Sequence, residues 1–216
     1  MADTNIGPIH TRWYDGFIYS KLVTPLQGKI ISIIDELVPS DSTVIDIGCG
    51  PGALVLKLSA KCKSVVGLDK SAKMIAYASK QKEKIGANNV RFICEDAARK
   101  GILSGEHFSL AIICMCLHGM THKERYSVIE NCFTLTTKVI ITDYLSQFPR
   151  NIVGIAQNLI EAVEGKESYK NFKEWQLHGG IDGFIKQIEL YIERERLWDD
   201  RFGKTILADR KRKREG

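Results

Sequence analysis

The sequence lacks any long hydrophobic run: no stretch approaches the ~18 consecutive apolar residues that a membrane-spanning helix needs. Its first residues, MADTNIGPIHTRWYDG, contain neither the basic segment nor the apolar segment of a secretory signal. The six cysteines form no C-x-x-C pair and have no Cys/His spacing typical of zinc, so no metal site is predicted. These absences together predict a cytoplasmic protein in a reducing compartment.

The net positive charge is also small over most of the chain. The formal net charge is +5, but residues 210–216 (RKRKREG) hold five basic side chains and one acid. Because a nucleic-acid-binding face needs Lys and Arg spread across the fold, the near-neutral body makes a nucleic-acid partner unexpected. The basic tail is predicted to be solvated, with contact to phosphates or a role as an import signal as the alternatives.

Helical and strand-like patterns alternate along the first two thirds of the chain. An apolar helical stripe runs over 22–38, and a T-x-x-E capping box at Thr121 and Glu124 starts a helix that reaches about 133. Further helices are predicted at about 53–60 and 71–82. Five short apolar strands lie between the helices, at 42–48, 64–69, 89–96, 108–117 and 138–145. This order predicts a doubly wound, mostly parallel, Rossmann-like α/β sheet.

The last third of the chain does not continue this alternation of helices and strands. An amphipathic helix is predicted over 152–163, a polar and aromatic segment follows, and a helix is predicted near 181–188. Two strand-like segments then flank a turn at 199–203, which favours an antiparallel hairpin and brings the sheet to seven strands. We therefore divide the chain into an N-terminal helical segment or lid (1–40) and one domain (41–216) with a helical insertion at 151–180 after the fifth strand.

A glycine-rich turn follows the first predicted strand. It reads Asp46-Ile-Gly48-Cys-Gly50-Pro-Gly52, so the backbone can approach a ligand closely at three alternate positions. In such sheets, ligands bind outside the carboxyl ends of the strands. Gly48, Gly50 and Ala53 also satisfy the dinucleotide pattern G-x-G-x-x-G/A, so an NAD(P)-dependent oxidoreductase is one alternative.

Acidic residues end the first three predicted strands: Asp46, Asp69 in VVGLD and Asp96 in FICEDA. On these acids and the glycine turn, the sequence resembles the class I S-adenosylmethionine-dependent methyltransferases over about residues 40–145. The resemblance implies S-adenosylmethionine as cofactor and S-adenosylhomocysteine as product. Pro51 and Gly52 also fit the methyltransferase turn better than a loop that binds a pyrophosphate. In addition, Asp46, two residues before Gly48, would repel the pyrophosphate of a dinucleotide.

The resemblance implies roles for the acids that agree with their chemistry. An ionised carboxylate only accepts hydrogen bonds, so Asp69 suits the two ribose hydroxyls, Asp96 the adenine amine and Asp46 the ammonium group. Backbone N–H groups of Gly48, Cys49 and Gly50 would line the methionine end, and Met74 would pack on the adenine. Cys114 and Met115 would line the cofactor. The predicted cofactor-binding residues are Asp46, Gly48, Cys49, Gly50, Gly52, Asp69, Lys70, Met74, Asp96, Ala97 and Cys114.

The acceptor side is less defined. His118, just past the fourth strand, is the candidate general base, with a structural histidine as the alternative, and Tyr14 is a second catalytic candidate. Further candidates facing the acceptor are Tyr19, Tyr144 and His178. Trp13, Tyr14 and Phe17 would form an N-terminal lid or plain scaffold. The insertion, with Tyr169, Phe172 and Trp175, would form a substrate wall or a homodimer face.

Several acceptor classes are disfavoured. The Asn-Pro-Pro-Tyr-type motif that resembling enzymes use on amino groups of bases or glutamine is absent, as is a Pro-Cys nucleophile. Together with the neutral body, this predicts a small-molecule acceptor methylated on O, N or C. A catalytically idle relative that binds the cofactor and serves as a scaffold is the remaining alternative.

Overall fold

The structure, a computed structural model, describes residues 24–148, 158, 161–162, 165–188, 190–198 and 202–210. Helices and strands alternate as far as the fifth strand. The helices are α1 (Thr24–Leu37), α2 (Ala53–Leu58), α3 (Ala72–Ile85), α4 (His122–Leu135), α5 (Lys166–Leu177) and α6 (Gly180–Ile188). The strands are β1 (Thr43–Ile47), β2 (Ser64–Asp69), β3 (Val90–Cys94), β4 (Leu110–Cys114), β5 (Lys138–Tyr144), β6 (Leu190–Leu197) and β7 (Gly203–Arg210).

The seven strands form one sheet in the order β3-β2-β1-β4-β5-β7-β6. The first five strands are parallel, whereas β7 pairs antiparallel with both β5 and β6. The predicted doubly wound sheet with a C-terminal antiparallel hairpin is thereby confirmed. Since the strand order reverses between β1 and β4, the connections that leave their carboxyl ends run in opposite directions along the sheet. Between them lies the crevice in which ligands bind in this fold class.

The central strands are buried on both faces, which explains why they read as continuous apolar runs. Ile45 of β1, Ile112 of β4 and Ile140 of β5 are all fully buried. Helix α1 covers one part of this core with Ile30 and Ile34. Each such side chain contributes about 1.5–3 kcal/mol relative to an exposed one.

Local signals in the sequence place the helix ends close to the site. The hydroxyl of Ser71 accepts a hydrogen bond from the N–H of Met74 at the start of α3, and the capping box of Thr121 and Glu124 is complete at the start of α4. Both caps satisfy N–H groups that a helix start leaves free. The predicted capping box is confirmed.

Two predicted boundaries differ from the structure by three residues, and the others by fewer. The strand predicted over 108–117 ends at Cys114, because Met115 has a φ of 55° and the chain then forms a 3-10 turn over Leu117–Gly119. Helix α3 extends to Ile85, where Gly86 ends it in the left-handed conformation. An apolar run in the sequence does not show where such a turn begins, since Met115, Cys116 and Leu117 are also apolar.

Some predictions lie outside the described residues: the lid residues Trp13, Tyr14 and Phe17, the candidate Tyr19, and the basic tail beyond Arg210. Of the helix predicted over 152–163, only Asn158, Glu161 and Ala162 are described, and all three are helical. No helix within the described ranges is long and apolar enough to cross a membrane.

Candidate active site

A cavity of about 260 Å³ opens at the carboxyl edge of the parallel strands. One side is formed by the ends of β1, β2 and β3 and includes Gly48, Gly50, Asp69 and Asp96. The opposite side is formed by the segment after β4 and its neighbours. It includes Met115, Cys116, His118, Gly119, Met120, Glu124 and Ser168. Several of the predicted site residues therefore lie at the predicted crevice.

The glycine turn is held by its own backbone. Gly48, Gly50 and Gly52 have φ values of 71°, 52° and 82°, which favour glycine. The N–H groups of Gly48 and Cys49 both donate to the carbonyl of Leu68, at 2.7 and 3.0 Å. The N–H of Gly50 donates to Asp69 Oδ2 at 2.9 Å. Because all three N–H groups have protein acceptors, the turn offers a ligand close approach to backbone and not the free N–H donors that we expected.

Gly52 serves packing beneath this turn. A Cβ there would lie 2.7 Å from Phe92 Cζ and 2.9 Å from Ala78 Cβ, so no side chain fits. Gly52 does not line the cavity. The third glycine of the motif thus allows the turn to pack against β3 and α3.

Two of the three acids reach the cavity. Asp69 accepts hydrogen bonds from the N–H of Gly50 through Oδ2 and from the N–H of Ser71 through Oδ1, at 2.9 and 2.8 Å. Asp96 Oδ1 accepts from the N–H of Ala98 at 2.9 Å. Each carboxylate has about four lone-pair positions, so both keep acceptor capacity for a ligand.

Asp46 is different, because it is buried and does not line the cavity. Its Oδ1 has no hydrogen-bond partner among the described residues. Burial, and secondarily the charge of Asp69, raise the pKa of Asp46 well above its usual range. A buried acceptor without a donor is unfavourable, and a ligand that brings a donor or a positive charge would relieve it.

The remaining predicted cofactor residues divide into two groups. Lys70, Met74 and Ala97 line the cavity, and Lys70 Nζ lies 3.9 Å from Glu124 Oε1. Cys49 and Cys114 do not line it, and burial raises the pKa of both thiols. Lining residues that the sequence did not single out are Leu68, Glu95, Ala98, Cys116, Gly119, Met120, Glu124, Val128 and Ser168.

His118 lines the cavity but is only 4% exposed, and carboxylates approach both of its ring nitrogens. Nδ1 lies 2.7 Å from Asp143 Oδ1, and Nε2 lies 3.3 Å from Glu161 Oε2. Burial lowers the pKa of His118, but Asp143 and Glu161 outweigh it and raise the pKa well above 6.5. Sequence reasoning found His118 and missed both carboxylates.

Among the described residues, the other acceptor-side candidates do not line the cavity. Tyr144 is buried, and its hydroxyl donates to Glu161 Oε1 at 2.8 Å. His178 is exposed at the end of α5, with Nδ1 2.9 Å from the carbonyl of Glu174. Phe172 and Trp175 are buried in the core and do not line the cavity; Ser168 is the residue of α5 that does.

Comparison with known proteins agrees with this geometry. Residues 44–138 match the sequence profile of a family described as methyltransferase domain. Over 59 residues the chain is 46% identical to the probable (S)-tetrahydroprotoberberine N-methyltransferase 2 of Papaver bracteatum, covering 26% of this chain and 16% of that protein. Over 145 residues it is 29% identical to the putative methyltransferase 235L of Invertebrate iridescent virus 6, covering 65% of this chain and 51% of that protein. The chain thus spans about half or less of these two curated relatives.

A solved structure extends the likeness to the whole fold. The magnesium protoporphyrin IX methyltransferase (ChlM) of Synechocystis PCC 6803, with bound S-adenosylhomocysteine, superposes with a TM-score of 0.67. The identity is 19%, and the match covers 96% of each chain. At this identity the likeness concerns the fold alone.

The strand order, the glycine turn and the acids at the strand ends define a domain of the class I S-adenosylmethionine-dependent type. Residues 44–138 match a methyltransferase domain, and the solved structure that shares the fold holds S-adenosylhomocysteine, which is S-adenosylmethionine without its methyl group. The residues present fit that cofactor, since the cavity has carboxylate acceptors at Asp69 and Asp96, a thioether at Met74 and the partnerless oxygen of Asp46 nearby.

Proposed function

We propose that the protein transfers a methyl group from S-adenosylmethionine to an oxygen, nitrogen or carbon atom of a small-molecule acceptor. The observation that carries this proposal is a cavity whose two sides are formed by different parts of the chain. One side holds Asp69 and Asp96 at successive strand ends, and the other is built from the segment that follows β4.

The residues of the first side bind and orient the cofactor. Asp69 would accept from the ribose hydroxyls, Asp96 from the adenine amine, and Asp46 would compensate the ammonium group. Met74 would pack against the adenine. When bound, S-adenosylmethionine supplies a methyl group on a sulfonium, which is already activated, so the protein chiefly aligns the acceptor and excludes water.

The charge of the cavity supports a small acceptor that is not a polyanion. Glu95, Asp96 and Glu124 line it together with Asp69, whereas Lys70 is its exposed cation. A nucleic acid brings one negative charge per phosphate, and the acidic residues that line the cavity would repel it. An amine or another neutral or cationic acceptor is compatible with it. The N-methyltransferase activity in the name of the Papaver bracteatum relative points the same way.

Two measurements test the proposal. Calorimetry should show binding of S-adenosylhomocysteine and none of NAD⁺ or NADP⁺. Isotope-labelled S-adenosylmethionine should then label at least one of two probe acceptors, tetrahydroisoquinoline or catechol. Binding of NAD(P) without S-adenosylhomocysteine would support the oxidoreductase alternative. Uptake of S-adenosylhomocysteine with no labelled product from probes or from a metabolite extract would support the idle scaffold, and labelled RNA would contradict the acceptor class.

A further inference from the structure

The cluster around His118 joins three separate parts of the chain. His118 lies in the 3-10 turn Leu117–Gly119, Asp143 and Tyr144 end β5, and Glu161 belongs to the segment that follows β5. We propose that His118 is a positioning residue and not a proton acceptor: as an imidazolium held between Asp143 and Glu161, it fixes the turn that forms the acceptor side of the cavity. This inference rests on the proposed function, because only that function makes this side of the cavity the one that contacts the acceptor.

The hydrogen bonds around the ring favour ionised forms of both carboxyl groups. Asp143 accepts from two backbone donors, Oδ2 from the N–H of His118 at 3.2 Å and Oδ1 from the N–H of Tyr144 at 2.7 Å. Its Oδ1 also lies 2.7 Å from His118 Nδ1. Glu161 Oε1 accepts from the Tyr144 hydroxyl at 2.8 Å. Both carboxylates are therefore arranged as acceptors, which is the role of the ionised form.

Ionised carboxylates on both sides require both ring nitrogens to carry a proton. A neutral imidazole has one N–H and one lone pair, so it would direct a lone pair at one of the two carboxylates. In a buried cluster that repulsion is strong, because the surroundings screen charge weakly. The doubly protonated ring removes it, but it has no lone pair with which to accept a proton from a substrate.

Charged groups on every packed element agree with this state. Strand β5 contributes Asp143 and the Tyr144 hydroxyl, and the segment after β5 contributes Glu161. Helix α4 contributes buried Arg125, whose charge interacts with Glu174 of α5 and with Asp143. The two buried carboxylates Asp143 and Glu161 outweigh the burial of the ring and raise the pKa of His118.

The turn that carries His118 is bonded at each of its carbonyls. Arg125 donates to the carbonyl of Leu117 from Nε at 2.9 Å and approaches that of His118 with Nη2 at 3.5 Å. Asn171 Nδ2 donates to the carbonyl of Gly119 at 3.0 Å. Because His118 and Gly119 line the cavity, loss of the two ion pairs of the ring would shift the wall that an acceptor touches.

The direct test is the ionisation of His118 in the full chain, measured by NMR on protein labelled with ¹⁵N-histidine. We expect both ring nitrogens of His118 to remain protonated at about pH 8, above the ordinary range near 6.5. Glu161→Gln should lower the pKa of His118 by about one unit or more, whereas Glu167→Gln, at an exposed position of α5, should not change it. A neutral tautomer at about pH 7 would overturn the proposal, and this readout needs no catalytic activity.

Kinetics with a labelled probe acceptor separate positioning from base catalysis. His118→Asn, which can still donate to Asp143, should raise the KM for that acceptor about tenfold and lower kcat no more than about threefold. The Kd of S-adenosylhomocysteine should stay within about twofold. If His118 were the base, kcat would fall by about 10²–10⁴ and the pH dependence of turnover would lose a limb. If none of the probes is methylated, the NMR result still decides between the two roles.

Discussion

The two sides of the cavity are built in different ways. On the cofactor side, the bonds of the glycine turn and the acids are local or join neighbouring strands: Asp69 binds Ser71 two residues on and Gly50 nineteen residues before. On the acceptor side, His118 binds Asp143 twenty-five residues away, and Arg125 binds Asn171 forty-six residues away. The comparison shows a cofactor side specified by a short motif and an acceptor side specified by tertiary packing.

The largest expected effect is on the cofactor side, at Asp69. Asp69→Asn replaces one acceptor oxygen by an amide that faces the N–H of Gly50 or Ser71, and it removes the charge that would bind the ribose. We expect the Kd of S-adenosylhomocysteine to rise about 100-fold, or about 2.7 kcal/mol, by calorimetry. Glu106→Gln, which breaks an ion pair with Arg91 away from the cavity, is the control. A change below about threefold would contradict the assigned role.

A second change tests whether every glycine of the motif serves the cofactor. Gly52→Ala should lower the free energy of unfolding by about 2 kcal/mol more than Gly101→Ala, measured in urea. Both positions have positive φ, but only at Gly52 would the new methyl group contact Phe92 and Ala78. Equal losses for the two variants would mean that backbone strain, and not packing, selects glycine at position 52.

A third prediction concerns Asp46, whose Oδ1 has no hydrogen-bond partner among the described residues. Its substitution should change the stability of the free protein and the affinity for S-adenosylhomocysteine in opposite directions. Asp46→Asn should weaken S-adenosylhomocysteine binding about tenfold, or about 1.4 kcal/mol. The same variant without ligand should be more stable than the parent by about 1 kcal/mol, since it removes a buried carboxylate charge.

The pH dependence of that stability follows from the raised pKa of Asp46. The unfolded carboxyl ionises near 3.8, whereas the folded one ionises at higher pH, so the folded parent loses stability as pH rises between the two values. The advantage of Asp46→Asn should therefore be at least as large at about pH 8 as at about pH 5 in urea unfolding. An advantage that shrinks with rising pH would show that the carboxylate is stabilised in the folded state.

The smallest predicted effect is on the acceptor side and checks that the two sides are independent. Tyr144→Phe removes the hydroxyl that donates to Glu161 and should lower the free energy of unfolding by about 1 kcal/mol. Calorimetry should find the Kd of S-adenosylhomocysteine within about twofold of the parent. A loss of affinity as large as that of Asp46→Asn would show that the two sides are coupled.

Sequence reasoning succeeded where the signal is local. The apolar runs predicted the parallel strands, and Thr121 with Glu124 predicted the start of α4, because strand burial and helix capping act within a few residues. The acids at the ends of β1 to β3 were found for the same reason. Sequence reasoning did not predict that the N–H groups of the glycine turn donate to Leu68 and Asp69. These two acceptors come close to the turn only when β1 and β2 pair.

The acceptor side shows where such reasoning ends. His118 was identified by its place after a strand, but its two carboxylates come from β5 and from the segment beyond it. Asn171 supports the same turn from α5, and no spacing in the sequence links it to Gly119. Only the folded chain shows that the candidate base is enclosed by acceptors.

The most direct measurement is a crystal structure of the protein with S-adenosylhomocysteine. We expect the ribose hydroxyls within hydrogen-bond distance of Asp69 and the adenine amine near Asp96, with the ammonium group on the Asp46 side of the cavity. A nucleotide bound elsewhere, or these carboxylates turned away from it, would contradict the assignment of the site.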